Sequence, residues 1–429
     1  WGQRGWCRTE RLARELAARS DGFLIVIESA MHASLMLSVN RSLDAPGLGK
    51  FTVQADTEKI GHVVLQMLWH KLHFYLQRGD IHKYRLLLNQ QDVRCLQGLH
   101  VDPVEGLVPG FASDIDPFYD PRGFILAHFM HENGFTSCVE RDWWGWSPLC
   151  YAAMKGSTGL VQSLLDGSAH AGETITKTEK ELYLPKGMSV LAIASFFRND
   201  AVMKLLASAR ADLNSRDVFH NGPLHFACVS NHAPGVRILL EAQANPNLEN
   251  FAGDSPFHVA ASLAAIDAMK EMLAKNPTQS LRYSLHRALM FHGGCSEAIG
   301  FLIEAKANLN EQYSVGTNRP AWWLLLNASA VIHRVSPSRW TCLAYHHSHA
   351  TPLMCSILSE YYEATSMLLA AGARVDLQNY RRKTAADLAL AMRAPASVTL
   401  ALEAHKDKRP VAQTDTGSES ENSEDWVSV

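Results

Sequence analysis

Long apolar runs, paired cysteines and an excess of charge of one sign are all missing from this chain of 429 residues, and each absence excludes a class of protein. The longest apolar stretches are 23–39, interrupted by Glu28 and His32, and 320–332. Neither supplies the roughly 20 apolar residues a bilayer-spanning helix needs, so no membrane insertion is expected. The eight cysteines, Cys7, Cys95, Cys138, Cys150, Cys228, Cys295, Cys342 and Cys355, lie far apart and include no C-x-x-C pair. That usage fits reduced thiols in the cytoplasm or nucleus better than a secreted disulfide framework. Two glycosylation-type triplets, at Asn40 and Asn327, would matter only after a signal sequence, and none is visible. Trp1 stands where a starting Met would be, which reads as a truncated beginning. Lys plus Arg number 40 against 43 Asp plus Glu, so no basic field selects nucleic acid as a partner.

Signatures of chemistry are missing as well. The stretch Pro46-Gly-Leu-Gly-Lys-Phe-Thr52 has the Gly-Lys of a phosphate loop, but Asp44 occupies the place of the leading glycine and Phe51 that of the magnesium-binding hydroxyl. His346, His347 and His349 are close in sequence, yet a closed metal site needs about four ligands, and Cys342 and Cys355 fall in other segments. Ser147 and Ser255 precede prolines without a G-x-S-x-G elbow, which suits helix capping. Asp114, Asp116 and Asp120 lack the glycine and distal glutamate of a calcium loop. The expectation is a chain that is not an enzyme, with no catalytic residue, cofactor or metal.

What is present is self-similarity. Gly145-Trp-Ser-Pro-Leu-Cys-Tyr-Ala152, Gly187-Met-Ser-Val-Leu-Ala-Ile-Ala194, His220-Asn-Gly-Pro-Leu-His-Phe-Ala227, Gly253-Asp-Ser-Pro-Phe-His-Val-Ala260 and His349-Ala-Thr-Pro-Leu-Met-Cys-Ser356 share one pattern. Apolar pairs such as Leu205-Leu206, Leu239-Leu240, Leu302-Ile303 and Leu368-Leu369 follow at helical spacing, each before a small-residue turn. Anchoring on the proline position gives Pro148, Val190, Pro223, Pro256, Ser284, Pro320, Pro352 and Ala385, with spacings of 33 from Val190 to Pro223, Pro223 to Pro256, and Pro352 to Ala385. The 42 residues from Pro148 to Val190 predict an inserted loop around 172–183, and the units at Ser284 and Pro320 keep the pattern least well. In period and wording this resembles the ankyrin-repeat family, over about 142–405.

The residue types account for such a unit. Ser or Thr before Pro caps a helix whose first turn has N–H groups to spare, and the following Leu and Ala turn one large and one small group inward. Gly372 and Asn245 are placed to end a second helix in a left-handed turn. His225, His258 and His286 sit where the family has a structural histidine that links neighbouring loops. The resemblance implies an all-α solenoid of stacked helix-turn-helix units joined by β-hairpin-like loops, with seven to eight units.

Around it, residues 1–56 match no nameable motif, though Thr9 to Arg19 suits an Arg-rich helix and Phe23 to Ile27 a β-like run. Residues 57–141 read as a helical region, a degenerate repeat or cap from 57 to 90 plus a long Pro- and Gly-rich loop that includes 114–121, then a further helix from Gly123 to Glu132. The acidic, polar stretch 406–429 is expected to be disordered.

The resemblance further implies a scaffold or adaptor that binds other proteins, expected to be a monomer, with the regulatory part of a larger enzyme or channel as the alternative. Its contact surface would comprise the hairpin tips: Trp143, Trp144, Trp146, Phe219, Asn221, Phe251, Asp254, Tyr380 and Arg381. Exposed aromatics and arginine are the types that dominate binding energy. The competing reading for the three tryptophans is that they cover the N-terminal region.

Overall fold

The computed structural model describes residues 4–17, 24–29, 32–36, 44–180, 182–291, 295–315 and 320–406. At the N-terminal end lie α1 (Gly5–Leu16), a hairpin of β1 (Leu24–Ser29) and β2 (His32–Met36), α2 (Asp56–Gln77), α3 (Ile81–Gln91) and α4 (Pro121–Asn133). The run read as β-like falls on β1 from Leu24 onward, and the Arg-rich segment falls on α1 from Thr9 to Leu16, its last residues, 18–19, lying outside the described ones. Residues 46–48 of the Gly-Lys stretch form a short 3-10 turn, with Gly47 so close to the Gly98 backbone that a Cβ there would lie 2.3 Å from it. They are packed against the 97–99 backbone.

Short helix pairs then succeed one another: α5 (Pro148–Lys155) with α6 (Thr158–Asp166), α7 (Val190–Phe196) with α8 (Asp200–Ser208), α9 (Pro223–Val229) with α10 (Ala233–Glu241), α11 (Pro256–Ser262) with α12 (Ile266–Lys275), and α13 (Ser284–Phe291) with α14 (Ser296–Glu304). After α15 (Pro320–Ile332) and α16 (Arg339–His346) come α17 (Pro352–Leu358) with α18 (Tyr362–Ala370), and α19 (Ala385–Ala391) with α20 (Ala396–Lys406). First helices pack on first helices and second on second, and one continuous apolar core runs from Leu86 to Leu402. No pair buries its apolar face alone; its neighbours complete it.

The starts are as the residue types dictate. The hydroxyls of Ser147, Ser189, Ser255, Thr351 and Thr384 accept the N–H three residues on, while Pro148, Pro223, Pro256 and Pro352 occupy the first helical turn. The ends differ from expectation in one respect. The left-handed residue that closes the second helix is Gly372 in one unit (φ 90°), but Arg210, Gln243 and Lys306 in others (φ 60°, 70° and 66°). Asn245 is not that residue: its backbone N–H is held by the Asn214 side chain of the preceding unit.

Two units depart from the expected frame. The anchor at Pro320 does not head a stacked pair: α13 packs directly on α17 and α14 on α18, and α15 with α16 forms a hairpin set outside the column. The His286 imidazole accordingly donates to the Ala350 carbonyl, 64 residues on, where His225 reaches Asp254, 29 residues on. Trp322 roots the hairpin over the buried Arg287 guanidinium, whereas Trp323, Leu324, Leu325 and Val331 are exposed. At the other end, α3 packs on α5 while α4 packs on α6, so the pair continuing the column is α3 with α4, and α2 lies against α3 from outside. A second apolar cluster, from Leu12 through Ile60, Val64 and Leu68 to Leu96, fastens α1 and α2 there.

Among the described residues no helix is long and apolar enough to cross a membrane. The expectation of disorder for the acidic tail concerns residues beyond 406, outside the described ones.

Candidate protein-binding surface

Four of the loops that precede a first helix fold as fingers around an Asp or Asn six residues before that helix. The Asp142 side chain accepts the N–H groups of Trp144 and Trp146, Asp217 those of Phe219 and Asn221, Asn250 those of Ala252 and Asp254, and Asn379 those of Arg381 and Lys383. A side chain that holds the N–H two and four residues on curls the backbone back on itself. The first residues after it form the tip, and in the fingers at Asp142, Asp217 and Asn250 the fourth, Trp146, Asn221 or Asp254, returns beneath it. Neighbouring fingers are tied by backbone hydrogen bonds: Thr176 N–H to Gly145, Val218 N–H to Lys186, Phe251 N–H to Phe219 and Tyr380 N–H to Ser348.

This geometry sorts the expected contact residues. Trp143 (82% exposed), Phe219 (54%), Phe251 (56%) and Tyr380 (75%) stand at finger tips, with Trp144 half-exposed beside Trp143. The Lys177 ammonium lies 4.3 Å from the Trp143 ring centroid, and the exposed Arg381 guanidinium lies 3.4 Å from the Tyr345 centroid. Asn221 is half-buried and bridges fingers, accepting from the Asn250 side chain.

Two residues do not belong to the surface. Trp146 is fully buried, against Tyr151 and His82, because it returns beneath the tip. Asp254 holds the same position in its finger and pairs at 2.7 Å with Arg287, itself 1% exposed. The reading in which the tryptophans cover the N-terminal region therefore describes Trp146 well and Trp144 in part, since Trp144 stacks on His82. Sequence reasoning overlooked the Asp/Asn that builds each tip, although its fixed offset before Pro148, Pro223, Pro256 and Ala385 is a periodic signal.

Beneath the first finger lies a buried polar knot. His82 Nδ1 faces the Tyr151 hydroxyl at 3.0 Å, and Nε2 faces Glu179 at 2.5 Å. The Tyr151 proton is committed to Asp142 at 2.7 Å, so both ring nitrogens of His82 must donate and the ring is an imidazolium. Burial opposes that charge, but hydrogen bonds to Asp142 and Glu179 outweigh it and raise the His82 pKa. Glu179 belongs to the loop inserted between the first two units, so the insertion reaches back to clasp α3.

The repeat histidines behave differently. His225 Nδ1 accepts the Gly222 N–H, which leaves Nε2 to donate to the Asp254 carbonyl of the next finger. Burial pushes the pKa of His225 down to about 4 and that of His286 to about 4. The three clustered histidines do not converge: His347 contacts the Ala344 carbonyl and His349 stacks on Tyr380, while burial and the nearby Arg381 press His346 down to about 4. Among the described residues no His, Cys, Asp and Glu side chains are grouped to hold a metal.

A column of short helix pairs with fingers along one edge is an extended solenoid, the architecture of a binding platform. The chain carries ankyrin repeats: the family model described as "Ankyrin repeats" matches it in three copies, at 122–217, 171–250 and 224–313. Repeats of this family typically mediate protein–protein contact. The chain is 36% identical over 90 residues to tyrosine-protein kinase Shark of Drosophila melanogaster, a match covering 20% of this chain and 9% of that protein. It is 27% identical over 118 residues to NF-kappa-B inhibitor alpha of Sus scrofa, covering 27% of this chain and 37% of the relative. It thus spans about a tenth of the first relative and little more than a third of the second. Among solved structures it is similar to the ankyrin repeat domain of Bcl-3, with 17% identity and a TM-score of 0.44, over 60% of this chain and 99% of that one.

Proposed function

We propose that this chain is a protein-binding scaffold or adaptor, acting as a monomer in the cytoplasm or nucleus and catalysing no reaction itself. The observation that supports this reading is the row of exposed aromatic tips, Trp143, Phe219, Phe251 and Tyr380, on fingers hydrogen-bonded to their neighbours. Rigid aromatic groups lose little conformational entropy when a partner covers them, and they stand on a scaffold already ordered. Trp144 and Arg381 flank the row and complete the surface.

The test is a quantitative comparison of proteins retained by the wild-type chain and by W143A/F219A/F251A/Y380A, with L390A/L400A as an exposed control elsewhere on the array. Specific partners should be lost from the quadruple variant alone. Retention of the same set by all three would overturn the surface.

A second reading is a regulatory portion of a larger enzyme, favoured by the match to part of a tyrosine-protein kinase. The full coding sequence decides it: a reading frame without an appended catalytic domain removes this alternative.

A further inference from the structure

The pairs α5–α6, α7–α8, α9–α10 and α11–α12 are joined by tight turns, but α3 and α4 are separated by residues 92–120, and that excursion walls a cavity of about 590 Å³ between α3, α4 and α6. Its floor is polar and deeply buried. Asn89 is 1% exposed, Glu132 4% and Asn133 2%. Ile125, half-exposed, and the ion pair of Glu105 with Lys155 at 2.8 Å line its mouth.

The floor offers acceptors. Asn89 donates both amide hydrogens within the wall, to the Arg85 carbonyl at 2.8 Å and to Asn133 Oδ1 at 2.7 Å. The Arg85 carbonyl can only accept, so the nitrogen of Asn89 must face it, and Oδ1 is left buried without a donor. The neighbouring Glu132 carboxylate accepts the Gly106 N–H, and its nearest basic group, His128 Nδ1, stands 4.0 Å away, beyond hydrogen-bond reach. Lys155 is engaged by Glu105, so the charge of Glu132 lacks a hydrogen-bonded cation among the described residues. Above the floor Phe111 and Phe124 meet edge to face at 5.5 Å, supplying apolar walls and ring faces that attract cations.

A buried carboxylate beside an orphaned amide oxygen, under aromatic rings, fits a group that brings several N–H donors and a positive charge on an apolar stem. A phosphate or carboxylate would be set against the Glu132 carboxylate and the Asn89 carbonyl oxygen at that floor. We propose that this cavity binds a protonated primary amine, its ammonium between Glu132 and Asn89 and its stem against Phe111 and Phe124. This site is distinct from the finger ridge and does not depend on it.

The test is calorimetric titration of the full chain with phenethylammonium, with its neutral counterpart 2-phenylethanol, and with Nα-acetyl-lysine methylamide. Phenethylammonium should saturate one site and bind about tenfold or more tightly than the alcohol, the discrimination expected of a charged hydrogen bond. Glu132→Gln keeps an acceptor for the Gly106 N–H and should abolish that preference. Ile125→Trp, at the mouth, should block binding with no change in the melting curve. Tighter binding of the lysine derivative assigns the amine to a peptide side chain, and weaker binding to a free amine. The proposal is overturned if neither ammonium compound saturates, if the alcohol binds equally well, or if folded Glu132→Gln binds phenethylammonium as the wild type does.

Discussion

At the scale of single residues, backbone conformation and buried charge give the sharpest expectations. Gly372 closes α18 at φ 90°, with nothing within 4 Å of where a Cβ would be, so Gly372→Ala isolates the backbone cost. That variant should lose about 1 kcal/mol, read as a lower melting temperature, because an L-residue is strained in the left-handed region. Gln243 holds the equivalent turn at φ 70° with a side chain, and Gln243→Gly should raise the melting temperature slightly. A pair of opposite shifts is the expected result; equal losses at both sites would contradict the assignment of these turns. Asp254→Asn removes the carboxylate charge that pairs with the buried Arg287 guanidinium and should cost about 3–5 kcal/mol in denaturant unfolding. The residue scale also shows where sequence reading stops. The exposed aromatics of the fingers were legible as tips and the burial of Trp146 through the reading in which the tryptophans cover the N-terminal region, but Asp254 was not legible as buried, since the Asp/Asn turn that tucks the fourth residue inward was not recognised as a unit.

At the scale of elements, α3 is held to the first repeat by the His82 knot, and this makes its docking sensitive to pH. The folded pKa of His82 is raised above its unfolded value of about 6.5. Its contribution is therefore fully present below that unfolded value and lost as pH rises through the folded one. The melting temperature of the wild type should exceed that of His82→Gln most on the acid side of neutrality, and the gap should close as the solution becomes alkaline. A gap independent of pH would mean that the ring is neutral in the folded chain. The inserted loop was foreseen from the 42-residue spacing after Pro148, but nothing local told that its Glu179 would clasp a histidine 97 residues earlier. The Pro320 hairpin is the converse case. A proline start and an apolar helix look alike in sequence whether the helix joins the column or leaves it, and only the contact of α13 with α17 decides.

At the scale of the whole molecule, neighbouring units share their interfaces, so small repeated effects add along the column. His225 and His286 are both buried as neutral rings with pKa values depressed to about 4. For a base held neutral the sign is opposite to that of His82: stability is complete above the unfolded pKa, near 6.5, and falls as pH drops from there toward about 4. The helical signal in circular dichroism should show an acid transition in that window. His225→Gln/His286→Gln should weaken the pH dependence even where it lowers stability at neutral pH, because glutamine does not take up a proton there. An acid transition of unchanged steepness in the double variant would place its cause elsewhere.

What the sequence determined by itself is the repeating unit: capped helix starts at Ser-Pro and Thr-Pro, paired apolar residues in second helices, and a 33-residue spacing. These depend on hydrogen bonds and packing between residues a few turns apart or one unit away, and the pattern recurs in phase along the chain. Tertiary structure alone decided which helices share the column, that α3 pairs with α4 across a long excursion, and that this excursion encloses a cavity floored by Asn89 and Glu132. Those features rest on contacts across dozens of residues, each occurring once, so no periodicity in the sequence announces them.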